Sequence, residues 1–328
     1  MAASAAAPPS LLDADMAAPK YTEAVAEAVE KCAGDTKGQT CYICTEALHW
    51  KTKEGLVRMC ACRGTSGFAH VSCLAEQAKI LCAEAEENNK VSQWHRWHTC
   101  SLCEQKYHGD VACALGWACW KTYLGRPEVD ELRRMGMEQL GNGLSRAEHY
   151  EDALSVMEAE LATLRRLGAS EANILGLQTN LACTYGELGR LGEASNMFHD
   201  VYSGRLKLYG EEHQGTLRAA LNCAASLNQQ ERFEEANSFM RKMMPVARRV
   251  IGENHEFTLR MRSIYARTLY DDPAATLDDL REAVALLEDT DRIARRVFGA
   301  STNTRQRASP SLPPPRSPSP RPTWHVKN

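Results

Sequence analysis

Between about Arg126 and Ala300 apolar positions recur at helical spacing among Glu and Arg, and proline occurs only at 127, 245 and 273. The pattern also repeats. Gly168, Gly210 and Gly252 stand 42 residues apart, as do Leu175, Leu217 and Leu259, and Ala182, Ala224 and Ala266. Ala194 and Ala236 keep that step, Ala153 precedes Ala194 by 41, and His213 with Thr216 returns as His255 with Thr258. A fixed period of this length marks stacked helix pairs, each too small to bury its apolar face alone.

In the clearest unit the pattern predicts one helix over Glu171–Leu188 and a second over Leu191–Leu208. Ala182 and Ala194 are small enough to let the pair approach, while Leu181, Tyr185 and Phe198 supply bulk. Gly189 falls at the turn, where positive φ is needed. The units at about 127–168 and 258–299 are weaker, and Gly299 lies 47 residues after Gly252 rather than 42. Stacks of this kind leave a face lined by the first helices of each pair, suited to a peptide or helix of a partner protein. The plainer alternative is a helical domain without such a groove.

Composition divides the rest. Residues 1–38 are Ala/Pro-rich and are expected to be largely disordered apart from a short helix over Tyr21–Lys31. Residues 39–108 hold the paired cysteines, 109–126 read as a connector, and 127–300 carry the repeats in about four helix pairs. Residues 301–328, rich in Pro, Ser and Arg, have too little apolar surface to order and are expected to be disordered. Ser309, Ser317 and Ser319 each precede proline there, which suits either proline-directed phosphorylation or a solubilising tail.

Charge and hydropathy exclude several classes. A net charge of −3 over 328 residues gives no support to nucleic-acid binding. The longest apolar run, Val111–Trp120, is half the roughly 20 residues of a membrane span. Met1–Ala18 lacks a basic segment followed by an apolar core, so a cytoplasmic location is expected, with the nucleus open. In a reducing compartment thirteen cysteines point to metal ligation rather than disulfides, and eleven of them lie between Cys32 and Cys119.

The ligand series is Cys41-x2-Cys44, Cys60-x-Cys62, His70-x2-Cys73 and Cys100-x2-Cys103. Each C-x2-C pair bends tightly enough for both sulfurs to reach one ion, and eight ligands suit two tetrahedral zinc ions. The other cysteines, Cys32, Cys82, Cys113, Cys119, Cys183 and Cys223, read as small apolar core residues. His49, His95, His98 and His108 flank this region and read as surface groups, with substitution as metal ligands the alternative; Trp94, Trp97, Trp117 and Trp120 read as packing between the cysteine region and the first helices, with an aromatic ligand-binding patch the alternative.

Two families share this ligand order. A PHD finger, a chromatin reader, fits less well: seven residues separate Cys62 from His70 where it has four or five, and Trp97 stands three before Cys100 rather than two. The segment Met59-Cys60-Ala61-Cys62-Arg63-Gly64-Thr65-Ser66-Gly67-Phe68-Ala69-His70-Val71-Ser72-Cys73-Leu74 closely resembles the RING-CH (RING-variant) finger. The resemblance covers residues 41–103. It implies a cross-brace, with Cys41, Cys44, His70 and Cys73 on one zinc and Cys60, Cys62, Cys100 and Cys103 on the other.

It also implies an E3 ubiquitin ligase that binds a ubiquitin-charged E2 and supplies no catalytic nucleophile. Ile43 and the Ser101–Leu102 loop would touch the E2, and both zinc ions would be structural. Gln77 stands where many members carry Trp, and Glu104 where many active fingers carry a basic residue. The rival class is a non-enzymatic adaptor in which zinc stabilises a protein-binding fold.

The helical region has its own likeness. Asn180-Leu181-Ala182-Cys183-Thr184-Tyr185-Gly186, Gly189-Arg190-Leu191-Gly192-Glu193-Ala194 and Tyr209-Gly210-Glu211-Glu212-His213 resemble tetratricopeptide repeats of the kinesin-light-chain type. The fold class expected is therefore mainly α: a small two-zinc finger followed by an α-solenoid that would recruit a protein substrate.

Overall fold

The computed structural model describes residues 11–88 and 93–298. Residues 1–10 and the expected disordered tail at 301–328 lie outside the described residues. Among those described there are eleven α-helices and no β-strand; two isolated antiparallel bridges, Val57 with Ala69 and Thr99 with Lys106, stiffen the cysteine region. The helices are α1 (Ala14–Thr36), α2 (Val71–Glu87), α3 (Gly109–Tyr123), α4 (Glu131–Arg146), α5 (Tyr150–Arg166), α6 (Glu171–Glu187), α7 (Leu191–Tyr209), α8 (Gln214–Gln229), α9 (Phe233–Ile251), α10 (Glu256–Asp271) and α11 (Leu277–Phe298). The chain forms two compact units that divide at Thr184/Tyr185, within α6.

In the first unit α3 is the hub. It packs against α1, α2 and α4, and Val111–Trp120 is buried without a break. A helix that is apolar all round must be covered all round. The segment expected as a connector is thus the centre of the core, a correction to the sequence reading. The crossing with α4 is close: a Cβ on Gly143 would lie 2.5 Å from the Ala112 carbonyl oxygen.

The N-terminal segment is corrected too. Residues 14–36 form one continuous helix that buries Ala17, Ala24, Val25, Ala28 and Cys32. These positions recur at helical spacing, but their small side chains give little hydrophobic signal. They join a single cluster with Leu56, Val57, Phe68, Val111, Leu115 and Leu140, so the cysteine region shares its core with the helices. Behind it, Trp97 and Tyr123 meet edge-on at 5.9 Å and pack with Ala78, Cys82 and Cys119. Cys32, Cys82, Cys113, Cys119 and Cys223 are buried thiols of the expected core type.

In the second unit each helix packs on the next from α7 to α11, and α8 also touches α10. The sequence period returns here as geometry. Leu217 and Leu259, and Ala224 and Ala266, are buried at equivalent places. Gly210 and Gly252 close α7 and α9 with φ of 80° and 98°. The imidazole Nδ1 of His213 accepts from the Gly215 amide, and that of His255 from the Phe257 amide, both at 3.1 Å. Histidine thus fills the helix-capping role usually taken by Ser, Asp or Asn.

Candidate metal centre

Two knuckles of identical backbone construction frame the site. In the first, the Cys41 amide donates to the Glu46 carbonyl (3.0 Å), the Thr45 amide to the Cys41 carbonyl (2.8 Å), and the Ile43 amide to the Cys41 sulfur (3.4 Å). In the second, the Cys100 amide donates to the Gln105 carbonyl (2.9 Å), the Glu104 amide to the Cys100 carbonyl (3.0 Å), and the Leu102 amide to the Cys100 sulfur (3.5 Å). The residue after each second cysteine takes the left-handed conformation, Thr45 at φ 65° and Glu104 at φ 54°. Neither residue type adopts that conformation cheaply, so tertiary structure imposes it.

The eight ligand candidates converge in two sets. Cys41, Cys44, His70 and Cys73 bring their ligand atoms within 4.8 Å of one another, and so do Cys60, Cys62, Cys100 and Cys103. His70 and Cys73 enter the first set from the start of α2. Cys60 and Cys62 enter the second from the loop closed by the Val57–Ala69 bridge. Along the chain the sets alternate, pair by pair. Gly67 makes room for the second: at φ 87°, a Cβ there would lie 2.5 Å from the Cys62 Cβ and 2.8 Å from its sulfur.

The donor geometry fits a tetrahedral ion. Zinc–sulfur bonds of about 2.3 Å place neighbouring ligands of a tetrahedron about 3.8 Å apart. Cys62 and Cys100 sulfurs are 3.8 Å apart, and His70 Nδ1 lies 3.3 Å from the Cys44 sulfur and 3.6 Å from that of Cys73. The other ring nitrogen, Nε2, faces the Ala47 carbonyl at 3.4 Å, so its proton has an acceptor and the Nδ1 lone pair is left for the cluster. Metal-bound imidazoles are oriented in this way. Three sulfurs with one nitrogen, and four sulfurs, are donor sets for a soft or borderline ion with no room for water.

Electrostatics prepare one sulfur in each set. Burial pushes the Cys41 thiol up, but the amides of Cys44, His70 and Ile43 outweigh it and hold the group below its ordinary value. The Cys60 thiol, with the Cys103 and Leu102 amides, holds Cys100 down to about 4. Burial raises Cys62 to about 11 and also raises Cys73. Hydrogen bonding to Cys100 raises Cys60. Four crowded sulfurs cannot all ionise unaided; a dication reverses that balance.

Ile43, Ser101 and Leu102 sit on the knuckles. Ile43 and Leu102 hold the same position in each, Ile43 half-buried and Leu102 51% exposed, while Ser101 Oγ is 2.9 Å from the Tyr42 hydroxyl. Arg96 donates to the Glu104 carboxylate at 3.1 Å, a pairing the linear sequence does not announce. His49 is buried beside His70, with ring centres 5.4 Å apart, rather than on the surface. A third convergence, Glu27, Asp110 and His149, joins three elements with no shared motif, which is why sequence reasoning passed over it; its side chains are exposed or half-exposed.

Comparison with known proteins bears on the helical part. The tetratricopeptide repeat model matches residues 174–215 and 216–256, so these residues carry tetratricopeptide repeats. Among solved structures, BtubC (BKLC) from P. vanneervenii is similar at 15% identity and a TM-score of 0.50, over 79% of this chain and 99% of that one. Nearly identical TPR-like repeats of Podosopora anserina, described as kinesin light chain, match at 18% identity and a TM-score of 0.48, over 70% and 98% of the two chains. The likeness to BtubC is one of fold. No curated relative matches the chain in sequence.

The chain is therefore mainly α-helical, with a tetratricopeptide stack suited to binding protein and two cysteine-rich clusters able to hold metal ions. Among the described residues no helix is long and apolar enough to cross a membrane.

Proposed function

We propose that the chain is a RING-CH-type E3 ubiquitin ligase that holds two zinc ions and binds clients through its tetratricopeptide stack. The observation that carries this reading is the alternation of the two ligand sets along the chain, with matching knuckles at Cys41–Cys44 and Cys100–Cys103. Cys41, Cys44, His70 and Cys73 would hold one zinc and Cys60, Cys62, Cys100 and Cys103 the other. Filled by four protein ligands, each ion supplies rigidity and activates no water.

The chain's residues would then act by positioning. Ile43 and Leu102 offer paired apolar side chains at the knuckle tips to the E2. Ile80, exposed on α2 three residues after Gln77, adds apolar surface on the turn where Gln77 replaces the larger aromatic group. Arg96 partly neutralises Glu104 beside the last ligand. A client held on the repeats would raise the local concentration of its lysines near the E2-borne thioester, and holding that thioester in one conformation favours attack.

The test is ubiquitin transfer by the zinc-loaded full chain with E1, a panel of E2s, ubiquitin and ATP. Autoubiquitination that is lost in Ile43→Ala, with zinc content unchanged, supports the reading. Silence across the panel contradicts it and leaves a protein-binding adaptor.

A further inference from the structure

α9 and α11 match at a step of 47 residues, the step that also separates Gly252 from Gly299 in the sequence. Ala236, Val246 and Ala247 of α9 are buried, and so are their counterparts Ala283, Ile293 and Ala294 in α11. One position breaks the match. Met240 is 0% exposed, whereas its counterpart Leu287 is 39% exposed. α9 packs against both α8 and α10, while α11 packs on α10 and no described helix follows it.

The bare face of α11 is organised. Leu277, Leu280, Val284 and Leu287 are 72%, 38%, 55% and 39% exposed, and steps of three, four and three residues set them in one stripe. Ala283, Thr290, Ile293 and Ala294, which bury α11 against the stack, lie on another side of the helix. A helix that closes a repeat stack ordinarily turns a polar face outward; this one turns leucine and valine. Single apolar side chains on a surface are ordinary, but a continuous stripe of four marks a contact.

We propose that α11 is the seam of a two-fold dimer, lying antiparallel along α11 of a second copy. The stripe's spacing reads the same from either end. An antiparallel copy therefore sets Leu277 of each chain opposite Leu287 of the other, and Leu280 opposite Val284, so one surface serves both. Charge selects the same direction. α11 begins with Asp278 and Asp279 and ends with Arg295 and Arg296. Antiparallel pairing brings each acidic end to the other copy's basic end and opposes the helix dipoles, whereas a parallel pair would join like ends. The Asp278 and Arg295 side chains are 89% and 71% exposed despite their ion pairs with Arg281 and Asp291, so both are accessible to a second chain. A single helix pair buries little beside a standard interface, which makes the dimer weak and reversible. The proposal does not depend on ubiquitin transfer.

Sedimentation equilibrium of the full chain between about 1 and 200 μM tests it. A reversible monomer–dimer equilibrium is expected, with no larger species. Val284→Asp should weaken it by at least about tenfold, because it sets a carboxylate in the apolar seam of each copy. Val129→Asp, at a valine 76% exposed in the first unit, should leave it unchanged. The proposal is overturned if the chain stays monomeric throughout, which would leave the stripe to another protein or to residues 299–328. It is overturned equally if Val284→Asp associates as wild type, or if Val129→Asp weakens association as much. Should circular dichroism show Val284→Asp unfolded, Leu277→Ser decides, and unchanged self-association there overturns it.

Discussion

The Tyr42 hydroxyl and Ser101 Oγ are hydrogen-bonded at 2.9 Å, tying the knuckle of one ligand set to the knuckle of the other. Each residue follows the first cysteine of its knuckle, so the bond joins equivalent places in two constructions distant in sequence. Tyr42→Phe removes one partner and leaves a half-buried serine that can turn to water. A loss of about 1 kcal/mol in stability is expected, with metal content unchanged. Denaturant unfolding followed by tryptophan fluorescence checks it, since five of the six tryptophans lie in the first unit. No change would show that the metal clusters alone fix the knuckles.

Gly67 makes a sharper test of the second cluster. A methyl group there meets the Cys62 Cβ at 2.5 Å on a backbone already at positive φ, so Gly67→Ala must displace a ligand or the loop carrying it. Metal analysis should find the variant with about one zinc per chain where the wild type holds two. Full occupancy of both sites in the variant would contradict the account of that cluster.

Glu160 sets a pH dependence. It is 1% exposed on α5, its nearest cation is Arg134 at 4.0 Å, and burial raises its carboxyl from 4.5 to about 8. The folded chain thus holds this proton more tightly than the unfolded one. Its contribution favours folding at pH 4.5 and below and is lost as pH rises to about 8. Glu160→Gln should abolish that slope and gain on the order of 3 kcal/mol relative to wild type at pH 8. Urea unfolding at pH 5 and pH 8 measures this, and parallel curves for the two proteins would refute it.

The turns between paired helices offer a stabilisation test. Glu148, Gly189 and Glu231 occupy equivalent turns and all take positive φ, at 66°, 74° and 62°. Only the middle one is glycine. Glu148→Gly and Glu231→Gly should each stabilise by about 0.5–1 kcal/mol, the strain relieved less the flexibility added to the unfolded chain. Unfolding midpoints at or below wild type would show that the glutamate side chains earn their place through contacts.

These glutamates also mark how far the sequence could be read. The α6 and α7 ranges come within a residue of the periodic pattern, because a 42-residue repeat constrains both ends of each helix and Gly189 announces its turn. Glu148 and Glu231 carry no such signal, since the fold imposes their conformation. Cysteine spacing shows which sulfurs bite together, but Arg96 meeting Glu104 depends on tertiary structure. The same limit explains α1 and α3. The buried face of α1 is mostly alanine, and α3 has no polar face to mark a period. The cysteine region shares its core with both helices, a relation written in burial rather than in motif.

The most direct measurement for the central claim is native mass spectrometry of the full chain, before and after a strong chelator, with circular dichroism in parallel. Two zinc ions per chain are predicted, and their removal should unfold the cysteine region while the helices of the second unit persist. A chain that binds no zinc, or keeps its near-ultraviolet signal once stripped of metal, would contradict the account.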